Sequence, residues 1–152
     1  MSLLLALPLV ACGAEEPQAV PPPVTTTFAR TAEDCTELAV RALEVEPGVA
    51  EVFGTHAELL PKGQFVRVRI ALSNTGNRVH DTRSEDYELV DAAGGAHHMS
   101  IDAMRVERQL WELQLGAGNR LELDLWYDIP LGAIPREIRD TVCASTIPLP
   151  ER

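Results

Sequence analysis

The sequence is poor in aromatic and in basic residues. Its 152 residues include two tryptophans, two tyrosines and three phenylalanines, too few for the stacked aromatic platforms that bind single-stranded nucleic acid. Lys and Arg number 13 against 23 Asp and Glu, which gives a net charge of −10. No basic patch interrupts this acidic balance. Nucleic acid and anionic lipid surfaces are therefore poor candidate partners.

Catalytic motifs are also missing. Ser84, Ser100 and Ser145 lie in no G-x-S-x-G setting, which is the usual context of a nucleophilic serine in hydrolases. Gly94-Gly95 fits a hairpin turn and not a phosphate-binding loop. We therefore predict that the protein is not an enzyme and that it uses no cofactor.

The sequence has no apolar run of the ~20 residues that span a bilayer. Its uncharged segment Ser2–Ala11, SLLLALPLVA, instead has the length of a signal-peptide core. The tetrad Leu9-Val10-Ala11-Cys12 resembles a bacterial lipobox, in which the cysteine is lipidated and becomes the new amino terminus. This resemblance implies a signal peptide over residues 1–11 and a lipid anchor on Cys12. Because no Lys or Arg precedes Cys12, we expect translation to start upstream.

A proline-rich segment follows the lipobox. Residues 13–27 read GAEEPQAVPPPVTTT, a composition that cannot build a core and that favours extended polyproline II at about 3.1 Å per residue. We predict that residues 12–31 tether a domain over residues 32–147, which ends in a short tail, 148–152. The domain would then lie on the outer face of the cytoplasmic membrane.

Two segments alternate as strands do. In Phe65–Gly76, FVRVRIALSNTG, four aliphatic side chains share one face and Arg67 and Arg69 share the other. Arg120–Ile129, RLELDLWYDI, places three leucines and a tyrosine on one face. We predict that Phe65–Gly76 forms the central strand of an antiparallel sheet with one solvated face. If the two strands are neighbours, Arg67 and Arg69 would lie opposite Glu122 and Asp124.

Short strands separated by Gly, Pro and Asn turns make up the rest of the domain. They are predicted at Val49–Thr55, Tyr87–Asp91, Ala96–Ile101 and Leu110–Leu115, with a last one between Glu137 and Ser145. Residues 32–46 fit either a helix or, in their second half, a strand that Pro47-Gly48 ends. Asn74–Asp86 is expected to be a surface loop, and Asp102–Gln109 is expected to be irregular or a single helical turn. Together these features predict an all-β, immunoglobulin-like antiparallel β-sandwich.

The order of these elements resembles a known family. Gly63–Gly76, GQFVRVRIALSNTG, looks like the signature strand of the DUF4352-type domains of bacterial secreted proteins, which have an Mpt63-like immunoglobulin fold. Tyr87–Asp91 with its glycine turn and Trp126–Pro130 match later motifs of that family, whereas Leu115–Asn119 lacks the family's proline. The resemblance covers residues 38–138. It implies a fold and export from the cytoplasm but no catalytic residues.

The other two cysteines, Cys35 and Cys143, bracket the domain. An exported compartment permits a disulfide between them. We predict this disulfide, and the alternative is two free thiols.

A possible metal site is the cluster His97-His98-Met99, since imidazole and thioether are suitable copper ligands. Adjacent residues in a strand point to opposite faces, however, so His97 and His98 could not readily share one ion. His56 and His80 stand alone and are expected in exposed loops. A copper- or zinc-handling protein that uses this cluster is the alternative function.

Trp111 and Trp126 are candidates for a binding surface. Trp126 falls on the polar face of its strand, where an exposed tryptophan among acids would suit a partner hot spot. Alternatively, Trp126 packs under residues 102–109. The resulting prediction is an exported, lipid-anchored interaction module of the cell envelope. Its partner would be an envelope protein or a small ligand, bound by the loops Asn74–Asp86 and Asp102–Gln109.

Overall fold

The computed structural model describes residues 30–31, 34–55 and 57–151. Its strands are β1 (Leu38–Val49), β2 (Val52–Phe53), β3 (Glu58–Leu59), β4 (Gln64–Asn74), β5 (His80–Arg83), β6 (Tyr87–Asp91), β7 (Ala96–His97), β8 (Glu112–Leu115), β9 (Arg120–Ile129), β10 (Pro135–Asp140) and β11 (Ser145–Pro148). Two short helices, α1 (Asp34–Glu37) and α2 (Ile101–Val106), and a 3-10 turn over Ser84–Asp86 accompany them.

Two antiparallel sheets form a sandwich. The first sheet has the strand order β1-β4-β9 and the second has the order β11-β10-β6-β7. The pairs β2–β3 and β5–β8 form two smaller antiparallel sheets. The all-β antiparallel sandwich predicted from the sequence is confirmed.

The core lies between the sheets and is centred on β4. Val66, Val68, Ile70 and Leu72 share one face of β4 and are fully buried. They belong to one apolar cluster with Leu89 of β6 and Ile138 of β10 in the second sheet. Full burial of each such side chain contributes about 1.5–3 kcal/mol to the hydrophobic stabilisation of the fold. The predicted central position of β4 and its pairing with β9 are confirmed.

The prediction that the opposite face of the first sheet is solvated is wrong at one end of the sheet. Phe65 and Trp126 lie on this face and meet edge to face, with ring centroids 6.3 Å apart. Both are buried. Helix α2 contacts β9, β2 and β3 here and buries Met104. The sheet therefore has a second, smaller apolar layer beneath α2.

The charged pairs across β4 and β9 follow the prediction in part. Arg69 lies opposite Asp124 and donates hydrogen bonds of 2.9 and 3.0 Å to its carboxylate. Arg67 lies opposite Trp126 but still forms a 3.7 Å ion pair with Asp124, in addition to shorter ones with Glu44 and Glu46 of β1, of 3.1 and 2.9 Å. The register sets Glu122 opposite Ala71, so its predicted pairing with an arginine is wrong.

Residues 32–46 were predicted to be either a helix or, in their second half, a strand, and the structure distinguishes the two. Residues 34–37 form α1, and the predicted strand from Leu38 onward is confirmed. The prediction that Pro47-Gly48 ends it is wrong, since β1 runs on to Val49 through a bulge. An edge strand tolerates a proline because the missing N–H needs no partner there. Gly48 supplies the positive φ, 74°, within this bulge.

The predicted loop Asn74–Asp86 is also wrong, because it contains β5, which pairs with β8. His80 is only 1% exposed, not in an exposed loop as predicted, and Thr82 is buried beside it. The inward side chains of β5 are polar. The hydropathy of the sequence therefore does not show that buried and exposed residues alternate in this strand.

Three predicted strands differ in extent. The strand expected over Val49–Thr55 is reduced to β2, and the strand expected over Ala96–Ile101 ends at His97, after which α2 begins at Ile101. The last predicted strand is in fact two, β10 and β11, which pair with each other.

Candidate functional site

One end of the sandwich, which we call the proximal pole, is where the described chain begins. Cys35 of α1 and Cys143 after β10 form a disulfide there, with Cα atoms 5.5 Å apart. The pairing predicted from the sequence is present. Cys12, the predicted lipidation site, lies outside the described residues. The disulfide links the start of the first sheet to the second sheet.

A buried ion pair also fixes the chain at the proximal pole. The Arg30 side chain is 0% exposed, and its two terminal nitrogens each donate a 2.7 Å hydrogen bond to Asp140. Its guanidinium also lies over the ring of Tyr87, 5.3 Å from the centroid. Burial raises the pKa of Tyr87 to about 12. Arg30 was assigned to the tether from the sequence, but these contacts place it with the folded domain.

His80 joins β5 to α1 at the same pole. Its Nδ1 lies 2.5 Å from Asp34 and its Nε2 lies 2.8 Å from Glu37. Burial alone would raise the pKa of Asp34, but hydrogen bonds from the Thr31 amide, from His80 and from the Thr31 hydroxyl lower it below its ordinary value. The cluster thus holds α1, and with it Cys35, against β5.

We expect Asp34→Asn to lower the melting temperature at pH 7 and to have a progressively smaller effect as the pH falls below about 3.9. The folded-state pKa of Asp34 is lowered, so its contribution to stability is complete above the ordinary value of about 3.9 and is lost as the pH falls. Loss of hydrogen bonds to a buried carboxylate costs about 2 kcal/mol. Thermal melts of both proteins from pH 7 to pH 2.5 would measure this. A difference that stays constant over that range would contradict the assignment.

The predicted metal cluster is not brought together. His97 contacts Asp91 at 2.8 Å, and His98 is exposed and contacts Glu88 at 3.2 Å, while Met99 is part of the core. In residues 30–31, 34–55 and 57–151, no group of three or more His, Cys, Asp or Glu is arranged to hold a metal ion. His56 lies outside the described residues.

The two tryptophans do not form the predicted exposed surface. Trp126 is only 6% exposed, and α2 packs against its strand, as the alternative interpretation expected. Trp111 is half-buried and packs against the core. The loop predicted over Asp102–Gln109 is largely α2, and Gln109 accepts a hydrogen bond from the Asp124 amide with its side chain. Neither predicted loop is therefore a free loop.

The opposite end of the sandwich, the distal pole, carries exposed apolar side chains. β4 has 11 residues and spans about 35 Å between the poles at 3.3 Å per residue. At the distal end, the β9–β10 loop holds Leu131 at 84% and Ile134 at 64% exposure. Single exposed apolar residues are ordinary, but a cluster of them at one pole marks a candidate contact surface.

This loop is held by hydrogen bonds in spite of its exposure. The side-chain amide of Gln64 donates to the carbonyls of Pro130 and Ala133, at 3.2 and 2.9 Å. The Ala92 amide donates to the Ile134 carbonyl at 2.8 Å. Gly132 provides the positive φ, 84°, that the turn needs. The exposed side chains are thus presented by an ordered backbone, which lowers the entropic cost of binding.

A groove of about 700 Å³ lies beside the loop. We call it the distal groove; it is lined mainly by small apolar side chains, among them Val45, Pro47, Ala133, Ile134, Leu149 and Pro150. Charged groups are confined to Arg136 and Glu151 in its lining. Such a surface suits an apolar protein segment more than a polar metabolite.

Sequence reasoning missed the distal groove. The signal was present in the segment Pro130–Pro135, PLGAIP, which contains no polar side chain although it connects two strands. Connections usually carry polar turn residues because they face water. An apolar loop between prolines departs from this pattern and was therefore a sign of a candidate contact surface.

Comparisons with known proteins find little. No family model matches the chain, and no curated protein matches it. The crystal structure of the yjhA protein from Bacillus subtilis is similar, at 17% sequence identity and a TM-score of 0.48, over 63% of this chain and 68% of that one. None of the described helices is long and apolar enough to cross a bilayer.

Proposed function

We propose that the protein is an extracytoplasmic, lipid-tethered β-sandwich that binds an envelope protein through the distal groove and performs no catalysis. The observation that carries this proposal is the separation of the two poles. The chain enters the domain at Arg30, at the proximal pole, while Leu131 and Ile134 are exposed at the other. A tether from Cys12 would therefore leave the groove facing away from the membrane.

Two further observations support export. The Cys35–Cys143 disulfide is of the kind that persists in oxidising compartments. The lipobox tetrad and the proline-rich segment precede the domain in the order expected of an anchored lipoprotein. We also propose, from the order of its strand motifs, that the domain belongs with the DUF4352-type domains.

Anchoring is tested by Cys12→Ala. We expect the variant to leave the membrane fraction or to accumulate unprocessed, because the thiol that receives the lipid is gone. Fractionation and the mass of the mature amino terminus would measure this. A processed variant that still sediments with membranes would exclude the lipobox.

The groove is tested by cross-linking in cells that express the full chain with a photoreactive residue at Ala133. We expect a discrete adduct that Ile134→Asp reduces at least tenfold, because a charge replaces an exposed apolar side chain of the groove lining. Val79→Asp is the matched control, since Val79 is 63% exposed but lies near the proximal pole. Equal adducts from all three proteins would reject the groove as the binding surface.

A further inference from the structure

The two long sides of the sandwich differ in how their edges are closed. On the β9 side, the Asp124 amide donates to the Gln109 side chain, and the Trp126 carbonyl accepts from the Ser100 amide at 2.7 Å. A bridge between Met99 and Tyr127 continues this closure. The outer edge of β9 is therefore occupied by the chain itself between Asp124 and Tyr127.

The outer edge of β1 is open. β1 is hydrogen-bonded to β4 alone, and within the described residues no other backbone–backbone hydrogen bond reaches residues 38–49. Pro47 lies in β1, which agrees with an edge position. Open edges present rows of N–H and C=O groups that another strand can use.

A cleft runs beside this edge. It has a volume of about 410 Å³ and lies between Val40–Ala42 of β1 and residues 146–150. Its lining shares Leu149 and Pro150 with the distal groove, so the two adjoin at these residues. The inward side chains of Val40 and Ala42 pack against the core and leave an apolar floor.

One charge borders the cleft. Arg41 is exposed there, and within the described residues it forms no ion pair, whereas the nearby Glu44 and Glu46 are both engaged by Arg67. Arg41 lies on the outer face of β1, opposite Ala71. A ligand carboxylate would therefore form an ion pair with Arg41 without breaking an ion pair that is already present.

Resting on the proposed function, we propose that the partner is an extended peptide segment that pairs with the β1 edge along Leu38–Ala42. Only a peptide backbone repeats paired donors and acceptors at the spacing of this edge, where every second residue, about 6.6 Å apart, directs its N–H and C=O outward. Its apolar side chains would alternate into the cleft, and an acidic side chain on the other face would meet Arg41. The bulge after Ala42 ends the regular edge and so limits the pairing to this segment.

The test uses the full chain in mild detergent with the acetylated heptapeptide Thr-Val-Thr-Val-Glu-Val-Thr. Its valines form one face and its glutamate lies on the other; a lysine peptide of the same pattern is the control. Hydrogen exchange is followed by mass spectrometry. We expect the glutamate peptide to protect residues 38–42 at least fivefold and the lysine peptide to protect them little.

Charge reversal sharpens the test. Arg41→Glu should weaken binding of the glutamate peptide at least tenfold and favour the lysine peptide. Arg120→Glu is the matched control, because Arg120 is exposed on the same face of the sheet at the opposite edge, and it should change neither. Equal binding of both peptides to the unmodified protein would overturn the proposed role of Arg41.

Other outcomes separate this inference from the proposed function. Absence of protection at residues 38–42 up to 1 mM glutamate peptide, with the Ala133 adduct in cells intact, would overturn the inference alone. Protection without peptide that rises with protein concentration would assign the edge to a second copy of the chain and overturn it as well. Protection by the glutamate peptide without any adduct in cells would keep the edge site and remove the distal groove from the proposed function.

Discussion

Replacing Cys35 and Cys143 together by alanine is expected to lower the free energy of unfolding by about 2–5 kcal/mol. The disulfide closes a loop with a sequence separation of 108. Closing a long loop restricts the unfolded chain far more than the folded one, so its loss favours the unfolded state. Urea unfolding of the full chain would measure the change. The midpoint should fall, and the slope of the transition should rise, because the unfolded chain becomes more expanded.

Reduction of the unmodified protein is the control for this variant. Dithiothreitol should bring its unfolding midpoint to that of the double variant, and it should leave the double variant unchanged. A loss below about 1 kcal/mol, or a reduced protein that is more stable than the variant by that margin, would contradict this account.

Asp140→Ala is expected to cost about 3–5 kcal/mol, because it leaves the buried Arg30 guanidinium without its main partner. The two side chains are 0% and 2% exposed and meet through two 2.7 Å contacts. What remains to Arg30 is Asp86, at 3.4 Å, and the ring and hydroxyl group of Tyr87, the latter also at 3.4 Å. The measurement is the free energy of unfolding at pH 7. It should depend little on salt, since a buried pair is poorly screened.

Arg30→Met provides the comparison. It should cost less than Asp140→Ala, because Asp140 still accepts hydrogen bonds from the Val142 and Cys143 amides, at 3.0 and 2.9 Å. A methionine also fills part of the space with an apolar side chain. If the two substitutions cost the same, or if Asp140→Ala costs less than about 1 kcal/mol, the pair is not the buried anchor described above.

The regular strands were predictable because their hydrophobic pattern is local. The prediction of Arg120–Ile129 as a strand agrees with the observed bounds of β9, since each inward side chain is apolar and each neighbour is a charged residue or Trp126. The same argument found β4, while β6 was predicted from the glycine turn that follows it. Alternation of this kind depends on the chain alone and not on what packs against it.

The buried polar strand was not predictable in this way. His80 sits in β5 with Asp34 and Glu37 as partners, and those partners lie more than 40 residues earlier in the chain. A histidine can be buried when both ring nitrogens have partners. Nothing near His80 in the sequence indicates that such partners will be available, so exposure was the natural prediction.

Trp126 illustrates a second limit. Alternation placed it on the outer face of β9 correctly, but whether that face is solvated depends on where α2 and β2–β3 pack. Those elements are short, and their positions are set by the tertiary contacts of α2 with β2, β3 and β9 more than by local preference. The candidate contact surface in the structure is therefore the apolar loop at the distal pole and not the pair of tryptophans.

The disulfide has a mechanical consequence. A load applied at Ile134 in the distal groove can follow the backbone of β10 to Cys143, cross the sulfur bridge to Cys35 and leave through Arg30. Every link on this route is covalent. Without the disulfide, the same load would shear strand pairings such as β1–β4. With the disulfide, these pairings do not carry the load. An oxidised domain pulled between its poles should therefore hold its shape up to forces that would separate the sheets of a reduced one.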